Sequence, residues 1–390
     1  MSTYLLVSGD FTPWGGMDRA NYELAWYLAD QAGAAVHLVS HRVAPPLVEH
    51  PRVTWHHVPK PMQSYTLGGP WLAARGRHLA RLLAPQGARV IVNGGNCAWP
   101  DVNWVHYVHA AWNGRHDAAP AAFRVRAAWM KRVARRGERR AVRAARLVLA
   151  NSEQTRRQTI DLLGVAPERV HRVYYGIDPA AFGPVAPAAR MAARRTLGWP
   201  EARPIVAFVG ALGYDRRKAF DVVFDAWKLL AQDPGWDAEL VAAGAGAEVE
   251  LWRRRAAAAG LGDRLRILGF TKLVPSILAA ADALVSPTHY EAYGLAVQEA
   301  LCAGLPAFVT RSAGIAELYP DDLHDLLLSD PPGAHDLARR LRQWSSDIQG
   351  YAERVARFGA VLRRRTWGDM SSEIVTLLTT PAQSTSSRFG

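Results

Sequence analysis

The segment Ser286-Pro-Thr-His-Tyr-Glu-Ala-Tyr-Gly-Leu-Ala-Val-Gln-Glu-Ala-Leu-Cys-Ala-Gly-Leu-Pro306 holds a complete strand-to-helix transition. The apolar run Ala283 to Ser286 reads as a buried strand, and the residues after it as a loop carrying Glu291. Gly294 opens a helix whose second turn carries Glu299. Such a helix start offers the backbone N–H groups of Tyr293, Gly294 and Leu295, with the positive end of the helix dipole behind them, to a phosphate-like anion. Gly294 lets the backbone come close to that ligand. Glu299 is placed to accept hydrogen bonds from a ribose diol, and Glu291 sits where the reacting end of a ligand would lie. Spacing alone leaves a plainer reading open, with Glu291 as a helix-capping acid and Glu299 as a surface helix residue.

Outward from this segment, short β-type runs alternate with longer helical patterns. The upstream runs are Tyr4 to Ser8, Ala35 to Ser40, Val53 to Val58, Arg89 to Asn93, Trp104 to Val108, Leu147 to Asn151 and Arg172 to Tyr175. The series restarts at Pro204 to Gly210 and continues as far as Asp325 to Leu328. Strands separated by helices of ~10 to 15 residues predict right-handed βαβ units and parallel sheets covered on both faces. Two such series predict an α/β chain with two doubly wound, Rossmann-like domains. Pro179, Pro184, Pro187 and Pro200 punctuate the Ala-rich stretch from Asp178 to Arg203, which places the boundary near Val185. The expected division is an N-terminal domain over 1–184, a C-terminal domain over 185–380 and a flexible Ser/Thr-rich tail over 381–390. Open parallel sheets bind ligands beyond the carboxyl ends of their strands, so the active site is expected in the cleft where the two sheets face each other.

The composition is that of an ordinary soluble globular protein. With 390 residues, 49% hydrophobic and 21% charged, the chain can bury two cores and is neither disordered nor fibrous. Apolar stretches such as Ile205 to Gly210 and Leu240 to Gly246 fall short of the ~18 to 20 residues of a membrane span. Met1 runs straight into strand-like sequence without a signal-peptide pattern, so a cytoplasmic protein is expected. Cys97 and Cys302 offer neither a disulfide framework nor metal-ligand spacing.

The formal charge of +12 is concentrated. Residues 1–180 carry +11, and Arg124 to Arg146 alone holds ten basic residues against one acid, Glu138. As an amphipathic helix, this block is expected to pack Val125, Trp129, Val133, Gly137 and Ala141 on its own domain and to leave Arg132, Arg135, Arg139 and Arg143 outward. One reading is a solvated helix face; another is peripheral contact through 124–146 with anionic lipid, at the inner face of the membrane, or with a phosphorylated acceptor. No base-reading module accompanies the charge, so no nucleic-acid partner is expected.

Glu291 and Glu299 stand eight positions apart, an E-x7-E arrangement, and with the residues through Pro306 this segment resembles the family-four retaining glycosyltransferases of the GT-B fold. Further matches follow in order along residues 4–380: Thr12-Pro-Trp-Gly-Gly-Met17, Val108-His-Ala110, Leu149-Ala-Asn-Ser-Glu153, Tyr174-Tyr-Gly-Ile-Asp178, Val209-Gly210, Lys218-Ala-Phe-Asp221, Gly244-Ala-Gly246 and Leu268-Gly269. The resemblance implies a C-terminal domain that holds a nucleoside-diphosphate sugar as co-substrate. It implies an N-terminal domain that holds the acceptor, which could be a glycan, a lipid-linked sugar or a small molecule, and a C-terminal helix that crosses back to the N-terminal domain. Neither a cofactor nor a metal is implied, and the sequence shows no HExxH or carboxylate-rich cluster.

The same resemblance assigns roles. Gly15 and Gly16 lie against the leaving group, His109 holds the donor sugar, and Glu291 orients it and supports positive charge at the reacting carbon. Lys218 neutralises the diphosphate together with Arg217 or Arg216, because the Arg usual directly after Gly210 is Ala211 here. Backbone near Phe270 and Thr271 meets the base, the amides of Tyr293, Gly294 and Leu295 meet the phosphate, and Glu299 holds the ribose. The implied mechanism is front-face attack, in which the departing phosphate oxygen helps remove the acceptor proton and no protein nucleophile is needed. Two other functions fit the fold: a nucleotide-sugar epimerase, and a silent nucleotide-sugar-binding protein, suggested by Ala211 and Ala292 at positions more often Arg and Gly. The E-x7-E segment and Asn151-Ser152 favour the transferase. A glycan phosphorylase fits less well, because the chain is short for one and lacks a lysine context for pyridoxal phosphate.

Overall fold

The computed structural model describes residues 2–114 and 119–379, so the expected tail at 381–390 lies outside the described residues. The first half contributes strands β1 (Thr3–Val7), β2 (Asp10–Phe11), β3 (Ala35–Ser40), β4 (Arg42–Val43), β5 (Val53–His57), β6 (Arg89–Asn93), β7 (Val102–Val105), β8 (Leu147–Ala150) and β9 (Val170–Arg172). The second half contributes β10 (Ile205–Val209), β11 (Glu239–Ala243), β12 (Leu265–Gly269), β13 (Ala283–Ser286), β14 (Ala307–Thr310) and β15 (Leu327–Leu328). One sheet has the order β5-β3-β1-β6-β7-β8-β9 and the other β12-β11-β10-β13-β14-β15, while β2 and β4 form a small pair of their own. All these pairings are parallel. Each large sheet starts in its middle, winds outward, and then resumes on the other side of its first strand. The two switch points lie between β1 and β6 and between β10 and β13, where ligands of such sheets bind.

Strands covered by helices on both faces must be apolar throughout, and β10 reads Ile-Val-Ala-Phe-Val without alternation. Phe208 meets Phe220, the first residue of the helix Phe220–Leu230, at 5.0 Å between ring centroids. Trp104 is buried in the first half of the chain and Trp227, Trp252 and Trp344 in the second; truncating such a residue to Ala costs ~3–5 kcal/mol.

Two strands end three residues earlier than the sequence pattern predicts, where the ends of the others differ by one at most. β7 stops at Val105 instead of running to Val108, because Asn151 Nδ2 takes the His106 carbonyl at 3.1 Å and the Val108 N–H donates to the Tyr290 hydroxyl at 3.1 Å. β9 stops at Arg172, and beyond it the Tyr174 carbonyl is held by the Arg365 guanidinium at 2.8 Å. In both places tertiary partners replace the sheet ladder.

The end of the chain returns to its beginning. The Ile177 N–H donates to the Arg365 carbonyl at 3.0 Å, Ile177 bridges Thr366, and the helix Trp367–Thr379 packs on the first helix, Gly16–Asp30. A Cβ at position 176 would stand 2.3 Å from the Thr366 carbonyl carbon, so only glycine permits this crossing. A cavity of about 550 Å³ lined by Arg19, Asp178 and Trp367 lies at the crossing, apart from the cleft that holds Glu291.

The basic block forms the helix Ala121–Ala144, in which Ala141 is buried and Arg132, Arg139 and Arg143 are exposed as expected, but the earlier part of the apolar stripe is turned outward. Val125, Trp129 and Val133 are 74%, 62% and 46% exposed, while Glu138, Ala141 and Val142 are buried. Polar contacts set this rotation. The Glu138 carboxylate accepts the His109 N–H at 3.0 Å, Arg135 donates to the carbonyls of His109 and Ala110 at 3.1 Å each, and Arg143 donates to the Leu163 carbonyl at 2.6 Å. Three of the four arginines expected to point outward, Arg135, Arg139 and Arg143, are thus tied to backbone, Arg139 through the Leu162 carbonyl at 3.3 Å. Among the described residues, no helix is long and apolar enough to cross a membrane.

Candidate active site

The loops after β10 and β13 meet at the second switch point. Thr288 Oγ1 donates to the Arg217 carbonyl at 2.9 Å and the His289 N–H to the same carbonyl at 2.8 Å. This seam brings the Lys218 ammonium directly onto the Glu291 carboxylate. Both side chains stay partly open to the cleft, 21% and 17% exposed. Burial alone would raise the Glu291 carboxyl, but Lys218 and Arg217 outweigh it and hold the group below its ordinary range, so it is ionised at neutral pH.

The Arg217 guanidinium lies 5.1 Å from the ring centroid of Tyr107, which belongs to the opposite domain. Arg216 is directed elsewhere. Its backbone has φ +48°, and its guanidinium faces Asp221 and Glu248 at 3.7 and 3.6 Å and the Trp252 ring. The structure therefore brings Arg217, and not Arg216, to Glu291.

Gly294 caps the helix Leu295–Cys302 at φ +114°, and a Cβ there would stand 2.8 Å from Ile315. The first bonds of this helix run from the Val297 and Gln298 N–H groups to the Gly294 carbonyl. The N–H groups of Tyr293, Gly294 and Leu295 stand at the start of this helix, and the Tyr293 N–H helps hold the Glu291 carboxyl down. The Tyr293 side chain is buried against Tyr175, 4.7 Å between rings. Glu299 is half-buried, and burial pushes its carboxyl up to about 8, against the opposing pull of Arg19.

Glycines shape the wall behind Lys218. A Cβ on Gly244 would fall 1.8 Å from the Gly210 carbonyl oxygen, and one on Gly246 would fall 2.0 Å from that of Leu212. Their absence lets the loop after β11 lie against the loop after β10, where the Gly210 N–H donates to Ala243 at 3.0 Å. Thr271 Oγ1 accepts the Leu273 N–H at 3.0 Å, a turn that leads into the helix Val274–Ala280. Next to it, Lys272 reaches across to the Trp14 ring at 4.6 Å, beside Gly15 and Gly16. Gly15 has φ +87° and caps the first helix, and Gly16 is exposed with nothing within 4 Å of a built Cβ.

His109 faces this group from the N-terminal domain. Its ring packs 4.9 Å from Tyr107 at the exposed edge of the domain, and partial desolvation, with the charges of Arg217, Arg135 and Lys131, pushes the imidazole down to about 4, so it is neutral. His106 belongs to the core: it bonds the Tyr175 hydroxyl and packs on Trp104.

Ser152 and Ala292 of the motif segments, with several residues that the motif reading does not single out, hold the two domains in register. Ser152 Oγ donates to the Ala292 carbonyl at 2.7 Å, and Glu317 accepts the N–H groups of Glu153 and Gln154 at 2.7 and 3.2 Å. The Tyr290 hydroxyl donates to Gln158 at 3.0 Å, and Trp112 stacks on His289 at 5.8 Å. The only sequence signal for this seam is Asn151-Ser152-Glu153 itself, a polar N-cap at a strand end. The partners of these residues lie far away in the chain and leave no local trace.

The family model described as Glycosyltransferase Family 4 matches residues 14–181, and that described as Glycosyl transferases group 1 matches residues 190–360. A D-inositol 3-phosphate glycosyltransferase of Thermobifida fusca (strain YX) is 30% identical over 234 residues, which are 57% of this chain and 52% of that protein. The chain thus spans about half the length of this curated relative. Among solved structures, WaaG, a glycosyltransferase involved in lipopolysaccharide biosynthesis, superposes with a TM-score of 0.76 at 19% identity, covering 97% of this chain and 99% of that one. Anabaena Alr3699/HepE in complex with UDP and glucose superposes with a TM-score of 0.71 at 18% identity, covering 97% and 99%. These likenesses show the GT-B fold. With one family model on each half of the chain and E-x7-E in the second, the chain belongs to the family-four glycosyltransferases.

Proposed function

We propose that this protein is a retaining, metal-independent glycosyltransferase that moves a sugar from a nucleoside-diphosphate sugar to an acceptor hydroxyl in glycoconjugate synthesis. The observation that carries the reading is the Lys218–Glu291–Arg217 group at an open helix start, with neutral His109 opposite. The solved relative that holds UDP and glucose supports a donor of this class.

The diphosphate takes the place of Glu291 as the partner of Lys218, and with Arg217 and the amides of Gly294 and Leu295 it meets positive potential where charge grows as it leaves. Glu291, released from Lys218, faces the anomeric carbon and stabilises its developing positive charge. His109 bonds a sugar hydroxyl as a neutral imidazole, and Glu299 holds the ribose. The bond from the anomeric carbon to the diphosphate oxygen breaks, a bond to the acceptor oxygen forms on the same face, and the acceptor proton passes to the leaving phosphate. A glycosidase needs two carboxyl groups flanking the scissile bond, whereas here one carboxylate stands among cations.

The acceptor is a glycan, a lipid-linked sugar or a small molecule. We place the protein on the cytoplasmic side, with residues 124–146 in peripheral contact with anionic membrane. A panel of nucleotide sugars scored by thermal shift identifies the donor, since a ligand at ~100 times its dissociation constant adds ~2.7 kcal/mol. Proton NMR of the product then reads the anomeric configuration; an inverted product, or a donor epimerised without acceptor, refutes the reading.

A further inference from the structure

The basic helix is not the only element with bare apolar side chains on the N-terminal domain. Helix Tyr65–Leu83 exposes Leu67 and Trp71, at 50% and 54%, and Met62 just before it is 90% exposed. Both helices lie on one face of the first sheet. Leu72 and Leu79 pack on Val7, Val90 and Val92, and Val142 packs on Val105, Val148 and Ala150. The register Val92↔Asn103↔Val148 puts these strand residues on the same side. Each helix feeds a parallel strand, β6 or β8, so each runs back along the sheet and starts at its carboxyl edge, the edge that lines the cleft.

Within the two helices the exposed charge has one sign. No acidic residue occurs from 61 to 100, and the one acid of helix Ala121–Ala144, Glu138, is turned inward and fully buried. Trp129, Val125 and Val133 alternate on the outer face with Arg132 and Arg136, which are exposed. Aromatic and aliphatic anchors among arginines match a surface that lies in the headgroup region of a bilayer, where apolar burial and attraction to anionic lipid add together.

We infer that the starts of helices Tyr65–Leu83 and Ala121–Ala144 form one docking surface for an anionic bilayer, with Trp71, Trp129 and Val125 entering the headgroup–acyl boundary and the arginines meeting lipid phosphates. This deepens the peripheral contact proposed above and rests on it for the acceptor: Glu138 and Arg135 join the docking helix to the His109 loop, so a lipid-borne acceptor reaches the cleft without leaving the membrane.

The test is co-sedimentation of the full chain with vesicles of phosphatidylglycerol and phosphatidylcholine, and of phosphatidylcholine alone, at low and high salt. Binding to the anionic vesicles that weakens with salt is expected, since attraction falls as the screening length drops from ~30 Å at 0.01 M to ~10 Å at 0.1 M. Trp71→Ser with Trp129→Ser should lower the partition coefficient at least about tenfold with an unchanged melting temperature, and Arg132→Gln with Arg136→Gln should flatten the salt dependence. No partition at low salt overturns the inference. So does equal partition by the tryptophan variant, or a stable dimer that shields Trp129. Titration with UDP and GDP in the absence of vesicles reports on the donor site alone. Nucleotide binding without partition sinks only the docking surface, and partition without nucleotide binding sinks only the transferase reading.

Discussion

The Lys218 ammonium is bound directly to the Glu291 carboxylate across the seam between the loops after β10 and β13. The two charges that the proposed reaction uses separately neutralise each other in this pair. On the proposed mechanism, a diphosphate that takes over Lys218 would free Glu291 as the sugar arrives, coupling donor binding to the readiness of that carboxylate.

Removing either partner should therefore have different consequences. Lys218→Ala should weaken nucleoside diphosphate binding and also lower kcat on the order of 10²-fold, because the leaving charge loses its main cation. Glu291→Ala should lower kcat by a similar factor while donor affinity is kept, as expected of an interaction that strengthens in the transition state. Steady-state kinetics with calorimetric donor binding separates the two, and full activity of Glu291→Ala would remove it from the site.

The interdomain seam offers a second test. A Cβ at Gly314 would stand 2.2 Å from the Ala292 carbonyl oxygen and 2.7 Å from Ser152 Cβ. Gly314→Ala should force the domains apart at the catalytic loop and destabilise the protein by at least about 2 kcal/mol. Ser152→Ala removes the bond to the Ala292 carbonyl, which Thr155 Oγ1 still meets at 3.1 Å, and the N-cap of the helix Glu153–Leu163, worth ~1 kcal/mol, and should be milder because no atoms are forced to overlap. Urea denaturation of both variants checks the order, and equal loss would mean that the close approach is not held in solution.

Periodicity made the sheets legible because buried parallel strands such as β10 are apolar throughout, and the E-x7-E segment was legible because its strand, glycine and helix are contiguous. What was hidden depends on distant partners. The rotation of helix Ala121–Ala144 is set by Glu138 and Arg135 reaching backbone near residue 109, which no apolar pattern records. Arg216 and Arg217 are neighbours of one type, and only the left-handed backbone at Arg216 and its acidic partners separate their roles.

Glu138 should be a positioning residue for His109. Its carboxylate accepts the His109 N–H from inside the fold, and burial pushes it up to about 7 against the backbone donors and Arg135. Glu138→Leu leaves those donors unpaired, at a cost of ~1–3 kcal/mol, and should lower kcat more than it raises KM for the donor. Glu138→Gln, which keeps an acceptor in place, should recover most of the rate. If the leucine and glutamine variants lose stability and rate together, the role is only structural.

Glu299 gives a prediction with a defined pH window. Its carboxyl is pushed up to about 8 in the folded chain, from an ordinary 4.5. Between those values the folded state keeps a proton that the unfolded chain has lost, so this group lowers stability progressively as pH rises through the window, and its full cost stands above it. Glu299→Gln removes the titration. Its melting temperature should match that of the natural chain near pH ~4 to 5 and exceed it by roughly 2–4 °C near pH ~8.5. Donor binding should move the other way. A ribose diol donates best to a carboxylate, so Glu299→Ala should weaken the donor by about 10- to 100-fold while kcat at saturation falls less than about threefold, the ribose being remote from the reacting carbon. A variant that gains alkaline stability but keeps full donor affinity would show that Glu299 is a buried acid without a ligand, and the ribose assignment would then fail.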